Sequence, residues 1–362
     1  MKYDFDGVEI KDSVYGIYLD IQHDIMINVA SRFSDIENWQ DVPYTDRWKI
    51  DKMVQLRDVT DTNIEIFAKK EVKVDENLRK ELQHLQDEMM KKDIKMLKGT
   101  VPNRKSDPLK NIIDVQVSDF KVSKNLTRIT ALEFANNAYL DIINKTAIDV
   151  ELSTKTHYEA LRDAVKEFSQ TGLQTLTYSS QSGKFSTISL DAGIKRAVNT
   201  RLTQTMAKTQ FQKMDDWELD LLEVSAHMGA RPNCAPFQGL VYSRSGKSMK
   251  YPAWSSSSYG DIDGLLGINC THTIYPFVEG ISERTFTPFD PVENAKVYEE
   301  SQMQRDFERI IRTTKREIST LQAAGFDTSF EQNKLNNTYT AIRQFVKVTG
   351  RTRNYDNERI YS

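Results

Sequence analysis

The chain is short of cysteine, with two in 362 residues, Cys234 and Cys270. That excludes a disulfide-stapled scaffold, which needs several bridges in a small secreted domain. It has no apolar run of about 18 residues, the length a membrane-spanning helix requires, so no membrane segment is expected. The opening residues, MKYDFDGVEIKDSVYG, lack the apolar centre of a signal peptide, and a soluble chain made in a cytoplasm is expected. Charge of one sign is not in excess: 49 Lys and Arg stand against 52 Asp and Glu, a net of −3. An indiscriminate nucleic-acid-binding polycation is thereby excluded. Proline and glycine are sparse and uneven. Six of nine prolines and seven of fifteen glycines fall between Trp217 and Pro291.

What is present suits a packed, multi-unit protein. Sixteen Phe, fifteen Tyr and four Trp supply large apolar groups, and the length allows two or three structural units. The first two hundred residues read mostly as helix. Val14, Ile17, Ile21, Ile25 and Val29 recur every three or four positions, as do Leu78, Leu82, Leu85 and Met89. Leu132, Ala135, Tyr139 and Ile142 mark another helix, and Ile194, Val198, Leu202 and Met206 a fourth. Turn-rich stretches, KGTVPNRKSDP and SSQSGKFSTIS, separate them. Short candidate strands, LDLLEVSA, FQGLVYS and HTIYPFV, appear only within the Gly- and Pro-rich stretch. Beyond it, Met303, Phe307, Ile310, Thr314, Ile318 and Leu321 predict a long helix that Gly325 stops, followed by a second helix over 329–348. The expected fold is mainly α: a helical domain over 1–215, a loop-rich α+β module over 216–290 and a C-terminal helical hairpin over 291–362.

Both thiols and two of the five histidines crowd into one window, as His227, Cys234, Cys270 and His272. Residues two apart on a strand point to one side, so Cys270 and His272 can face one ion. Two thiolates and two imidazoles suit tetrahedral zinc, and a loop-rich module would gain folding energy from such a clip. The spacing is not that of paired zinc knuckles. Spacing alone favours the plainer reading, in which the cysteines are small buried hydrophobes and the histidines bond to loop backbone. Arg231 and Asn269 are expected to brace the loops.

Other motifs weaken on inspection. SRSGKS, at 243–248, lacks the first glycine of a phosphate loop, because Val241 occupies that place. Asp261 and Asp263 lack the third ligand and closing Glu of a calcium loop. No nucleophile elbow or His-Glu-x-x-His pattern occurs. A nucleophilic Cys270 would need a third partner that cannot be named. From Ser301 onward eleven Lys and Arg face seven Asp and Glu. There Arg305, Arg309, Arg312 and Arg316 line one helix face. They could meet DNA phosphates or an acidic partner. The stronger reading is a solvated face with Asp306 and Glu308 as local partners.

Three blocks, SAHMGARPNCAPFQGLVYS, YGDIDGLLGINCTHTIYPFVEG and YEESQMQRDFERIIRTTKR, resemble the minor capsid protein 2 family of tailed phages of Gram-positive hosts. That family is similar in role to Mu F-type head-morphogenesis proteins. The resemblance covers nearly the whole chain. Two departures stand out: Cys234 sits where the family usually has His, and Thr271 where it usually has Arg. The resemblance implies a non-enzymatic virion protein, made in the host cytoplasm and housed in the phage head. It implies portal or major capsid protein as partners, phage DNA as a further one, and roles in head assembly and genome packaging or delivery. The alternatives are a metal-dependent hydrolase or toxin-like effector carried in the virion, and a DNA-binding internal head protein.

Overall fold

The computed structural model describes residues 2–5, 8–11, 13–34, 45–98, 107–178 and 185–361. Most of the expected turn at 98–108, and residues 179–184 of the expected break at 179–189, lie outside the described residues. In chain order, strands β1 (Lys2–Phe5) and β2 (Val8–Lys11) precede helices α1 (Ser13–Ser31), α2 (Thr45–Val54), α3 (Leu56–Lys70) and α4 (Val74–Met96). Helices α5 (Asp107–Glu151) and α6 (His157–Thr171), strands β3 (Gln174–Tyr178) and β4 (Phe185–Ser189), and helix α7 (Leu190–Asp216) follow. Three short strands come next: β5 (Leu221–Val224), β6 (Val241–Ser243) and β7 (Ile274–Phe277). Helices α8 (Pro291–Ala323) and α9 (Ser329–Thr349) close the regular structure. The protein is therefore mainly α with a small loop-rich α+β region. Among the described residues no helix is long and apolar enough to cross a membrane.

The chain forms two compact units, each assembled from three separated stretches. One comprises residues 1–14, 74–123 and 195–303; the other comprises 15–73, 124–194 and 304–362.

In the first unit, the 4-3-4 spacing on α4 buries Leu78, Leu82, Leu85 and Met89, and α7 buries Val198, Leu202 and Met206. Buried polar side chains tie these helices together. Gln86 of α4 donates to Thr209 Oγ1 of α7 at 3.4 Å and to the Leu109 carbonyl of α5 at 2.9 Å, and Lys213 and Asp93 form an ion pair with both side chains inside. Strand β5 is the centre of an antiparallel sheet ordered β6-β5-β7, with Leu222 opposite Tyr242 and Pro276. Leu222 and Val224 pack with Ala207 and Met214 of α7, together with Trp254, Leu265 and both cysteines. Glu223, between the two core residues on β5, is also buried. It is satisfied by the backbone N–H groups of Thr285 and Phe286, each 3.0 Å away. The Gly- and Pro-rich stretch is thus wrapped on a helix that precedes it in sequence.

In the second unit, α1 buries Tyr18, Ile21, Ile25 and Val29. Helix α6 opens with a capping box in which Thr156 and Glu159 satisfy each other's backbone N–H. Ile311 of α8 packs on Leu335 and Ile342 of α9. Gly325, at φ +80°, turns the hairpin, and Phe326 N donates to Leu321 O at 2.9 Å, closing the helix end.

The structure corrects two expectations. The hairpins β1–β2 and β3–β4 lie in a region read mostly as helix. On α8 Thr314 and Leu321 are buried as expected, but Met303 and Ile310 are exposed, whereas Gln304, Glu308 and Ile311 are buried. Gln304 and Glu308 bond to each other at 3.1 Å. Gln304 also donates to Thr352 O and accepts from Arg351. The C-terminal tail therefore supplies the partners that let polar residues face inward, which helical periodicity alone does not reveal.

Candidate functional site

The Cys/His cluster lies in the first unit, where two loops meet: one after β5 and one before β7. They are joined at their base by Ser225 N donating to Thr273 O at 2.8 Å and Thr273 N donating to Ser225 Oγ at 2.9 Å. The first loop turns at Gly229, at φ +80°. Its backbone is held by Asn294, in the first turn of α8. The Asn294 Oδ1 accepts from Gly229 N and Ala230 N, both at 2.9 Å, and its Nδ2 donates to Ala230 O at 2.8 Å. The second loop is compact enough that a Cβ on Gly264 would stand 1.8 Å from the Ser258 carbonyl oxygen. Asn269 adopts a left-handed φ of +57°, which Asn tolerates better than most residues.

Arg231 joins the loops. Its Nη1 donates to Ile268 O and its Nη2 to Gly264 O, each at 2.7 Å, while Nε donates to Cys234 Sγ at 3.2 Å. One planar fork thus fixes two carbonyls and a sulfur, a geometry that lysine could not reproduce. Arg231 therefore braces the loops as expected.

Cys234 Sγ and Cys270 Sγ lie 4.0 Å apart and both cysteines are free. Cys270 Sγ is 3.4 Å from His272 Nδ1. The opposite nitrogen, His272 Nε2, is 3.1 Å from Gln238 Oε1. Gln238 is oriented by its other bonds, since the same Oε1 accepts from His227 N at 3.0 Å. Nε2 therefore carries the proton, and Nδ1 turns its lone pair toward the thiols. Cys234, Cys270 and His272 are 1%, 3% and 1% exposed, and their ligand atoms all lie within 4.8 Å of one another. The Cys234 thiol is held well below its ordinary range. The hydrogen bond from Cys270 is the largest cause, and the bond from the Arg231 guanidinium adds to it, against burial. Cys270 is pushed up, first by that same bond and then by burial, because a second negative charge there has no compensation.

His227 stands apart from this triplet. Its ring stacks on that of His272 at 4.3 Å, and its Nε2 bonds to Thr271 Oγ1 at 2.8 Å. The structure thus brings together three of the four candidates and places the fourth over the ring of the third.

The arginines of α8, in the second unit, do not form one accessible stripe. Arg305 and Arg309 are exposed, and Arg309 pairs with Asp306. Arg312 is half-buried, bonds to Asn357 O and lies 3.9 Å from Asp191. Arg316 is buried and donates to Ser169 O at 3.4 Å. Burial alone would raise the Asp191 carboxyl, but Arg316 and Arg312 hold it below its usual range. Arg305 and Arg316 point in nearly the same direction, about 20° apart around the axis, but lie about 16 Å apart along it, so what packs against the helix at each level decides which of them is exposed.

Gln238 and Asn294 were not singled out by motif. Their only signal is general: a tightly turned backbone needs buried polar side chains to satisfy it. Asn294 lies 64 residues from Ala230, so spacing could not pair them.

Comparison with known proteins gives a consistent result. The family described as Phage minor capsid protein 2 matches residues 8–347. A "Structural protein" of Lactococcus phage LL-H is 32% identical over 254 residues, covering 68% of this chain and 67% of that protein. A "Structural protein" of Lactococcus phage mv4 is 35% identical over 115 residues, covering 31% of this chain and 93% of that protein. No solved structure matches.

Proposed function

The chain belongs to the phage minor capsid protein 2 family, and from that membership we propose that it docks to the portal or the inner capsid and supports head assembly and genome packaging or delivery. As a phage structural protein it is a virion component. The observation that carries the reading is the extent of the family match, residues 8–347, which spans most of both units and all of the Cys/His cluster.

The role is structural rather than catalytic. Burial of Cys234, Cys270 and His272 supports this, because a hydrolytic or nucleophilic group must meet its substrate. The accessible charge lies elsewhere. Arg305 and Arg309 stand exposed on α8, within a C-terminal region where Lys and Arg outnumber Asp and Glu. They suit an acidic face of a portal or major capsid protein, or DNA phosphates, and either contact would weaken with salt.

The test is to complement a phage lacking this gene product and to locate the chain by cryo-electron microscopy of the head with its neighbours resolved. Heads formed without it should be defective in assembly, DNA content or delivery, and the chain should contact portal or inner capsid. Normal, infectious heads without the chain would overturn the reading, as would a position in the tail.

A further inference from the structure

We propose that Cys234, Cys270 and His272 bind one zinc ion as a three-residue site, with water in the fourth position, clipping the two loops of the first unit together. The inference rests on geometry that the docking reading does not use.

Zinc bonds sulfur at about 2.3 Å and imidazole nitrogen at 2.0–2.1 Å, so a tetrahedron places two sulfurs about 3.8 Å apart and sulfur about 3.6 Å from nitrogen. The observed separations are 4.0 Å between sulfurs and 3.4 Å between Cys270 Sγ and His272 Nδ1. Closing on an ion therefore requires adjustments of only a few tenths of an ångström along these two edges.

The surroundings also match what a ligating shell needs. A metal-binding histidine usually donates its other ring N–H to an oxygen, which fixes the tautomer. His272 does so to Gln238 Oε1, and Gln238 is itself held by His227 N. A zinc thiolate accepts N–H bonds, and Arg231 Nε already donates to Cys234 Sγ. Two thiolates and one neutral imidazole balance the dication, which matters in a buried site. The three ligands come from both loops, so one ion crosslinks segments 36 residues apart. His227 is outside the set, because neither of its ring nitrogens joins the three ligand atoms that lie within 4.8 Å of one another.

The test is elemental analysis of the full-length protein, expressed with zinc supplementation and purified without chelator. About one zinc per chain is expected. Cys234→Ser, Cys270→Ser and His272→Gln should each lose it, and His227→Ala should retain it. Should those variants fail to fold, cobalt(II) titration of the metal-stripped wild type supplies an independent measurement. It should give a thiolate-to-cobalt absorption band with the intensity of two thiolates and visible bands of a four-coordinate ion. A folded, reduced wild-type protein that holds neither metal overturns the proposal. Loss of zinc from a folded His227→Ala variant overturns the three-residue ligand set.

Discussion

Arg231→Ala should loosen the two loops without unfolding the helices. The guanidinium makes two bonds of 2.7 Å to carbonyl oxygens, at Gly264 and Ile268, and one of 3.2 Å to Cys234 Sγ. Hydrogen bonds to a charged group contribute about 1.5–3 kcal/mol each. The two carbonyl bonds would thus be worth about 3–6 kcal/mol if nothing replaced them. Arg231 is only half-buried, so water enters the space and satisfies part of the loss. A net cost of about 2–3 kcal/mol follows, confined to local opening. At 1.4 kcal/mol per tenfold, amide exchange at Ile268 and Cys270 should speed up roughly 30- to 150-fold. Native-state hydrogen exchange on metal-stripped protein measures this directly and does not depend on thiol ionisation, which Arg231 also influences. Arg231→Lys should recover little, since a single ammonium cannot span both carbonyls and the sulfur. Exchange within about threefold of wild type, a difference below about 0.7 kcal/mol, would show that the fork does not hold these loops.

Three further outcomes follow from named contacts. Glu331→Gln should cost about 3 kcal/mol, the low end for breaking a buried pair, because Arg162 and Lys166 remain 22% and 23% exposed and can rehydrate. Burial raises the Glu331 carboxyl, but the Lys166 and Arg162 bonds hold it below its ordinary range. Its stabilisation is thus present above the unfolded value near 4.3 and lost as pH falls through the lower folded value. Denaturation of wild type and variant from pH 7 to pH 3 should show the gap closing only at the acid end. Gly264→Ala should destabilise the first unit by about 3 kcal/mol or more, since the new Cβ would meet the Ser258 carbonyl oxygen at 1.8 Å and the backbone must move; thermal melting and proteolysis of the 230–270 loops check this. Arg305→Ala with Arg309→Ala should weaken binding to an anionic partner most at low salt and leave the melting temperature nearly unchanged, because exposed ion pairs contribute about 0–1 kcal/mol.

Helix identity was legible from one dimension because apolar spacing is a local property. Leu78, Leu82, Leu85 and Met89 are all inside, and so are Ile194, Val198, Leu202 and Met206. The strands around 221–224, 241–243 and 274–277 were legible for the same reason. Gly325 marked its turn because positive φ favours glycine. The crowding of Cys234, Cys270 and His272 was also visible, since all lie in one Gly-rich window. The placement of His227, over the His272 ring and bonded to Thr271, depends on how the loops fold and has no spacing signature. The same holds for Gln304, Glu308 and Arg316. A polar residue on a helix is inward or outward according to whether a partner waits there, and the partners here, Thr352, Arg351 and Asp191, come from other elements. Periodicity encodes which face of an element is apolar. Only the folded chain brings together the distant groups that make a buried charge or a turned loop affordable.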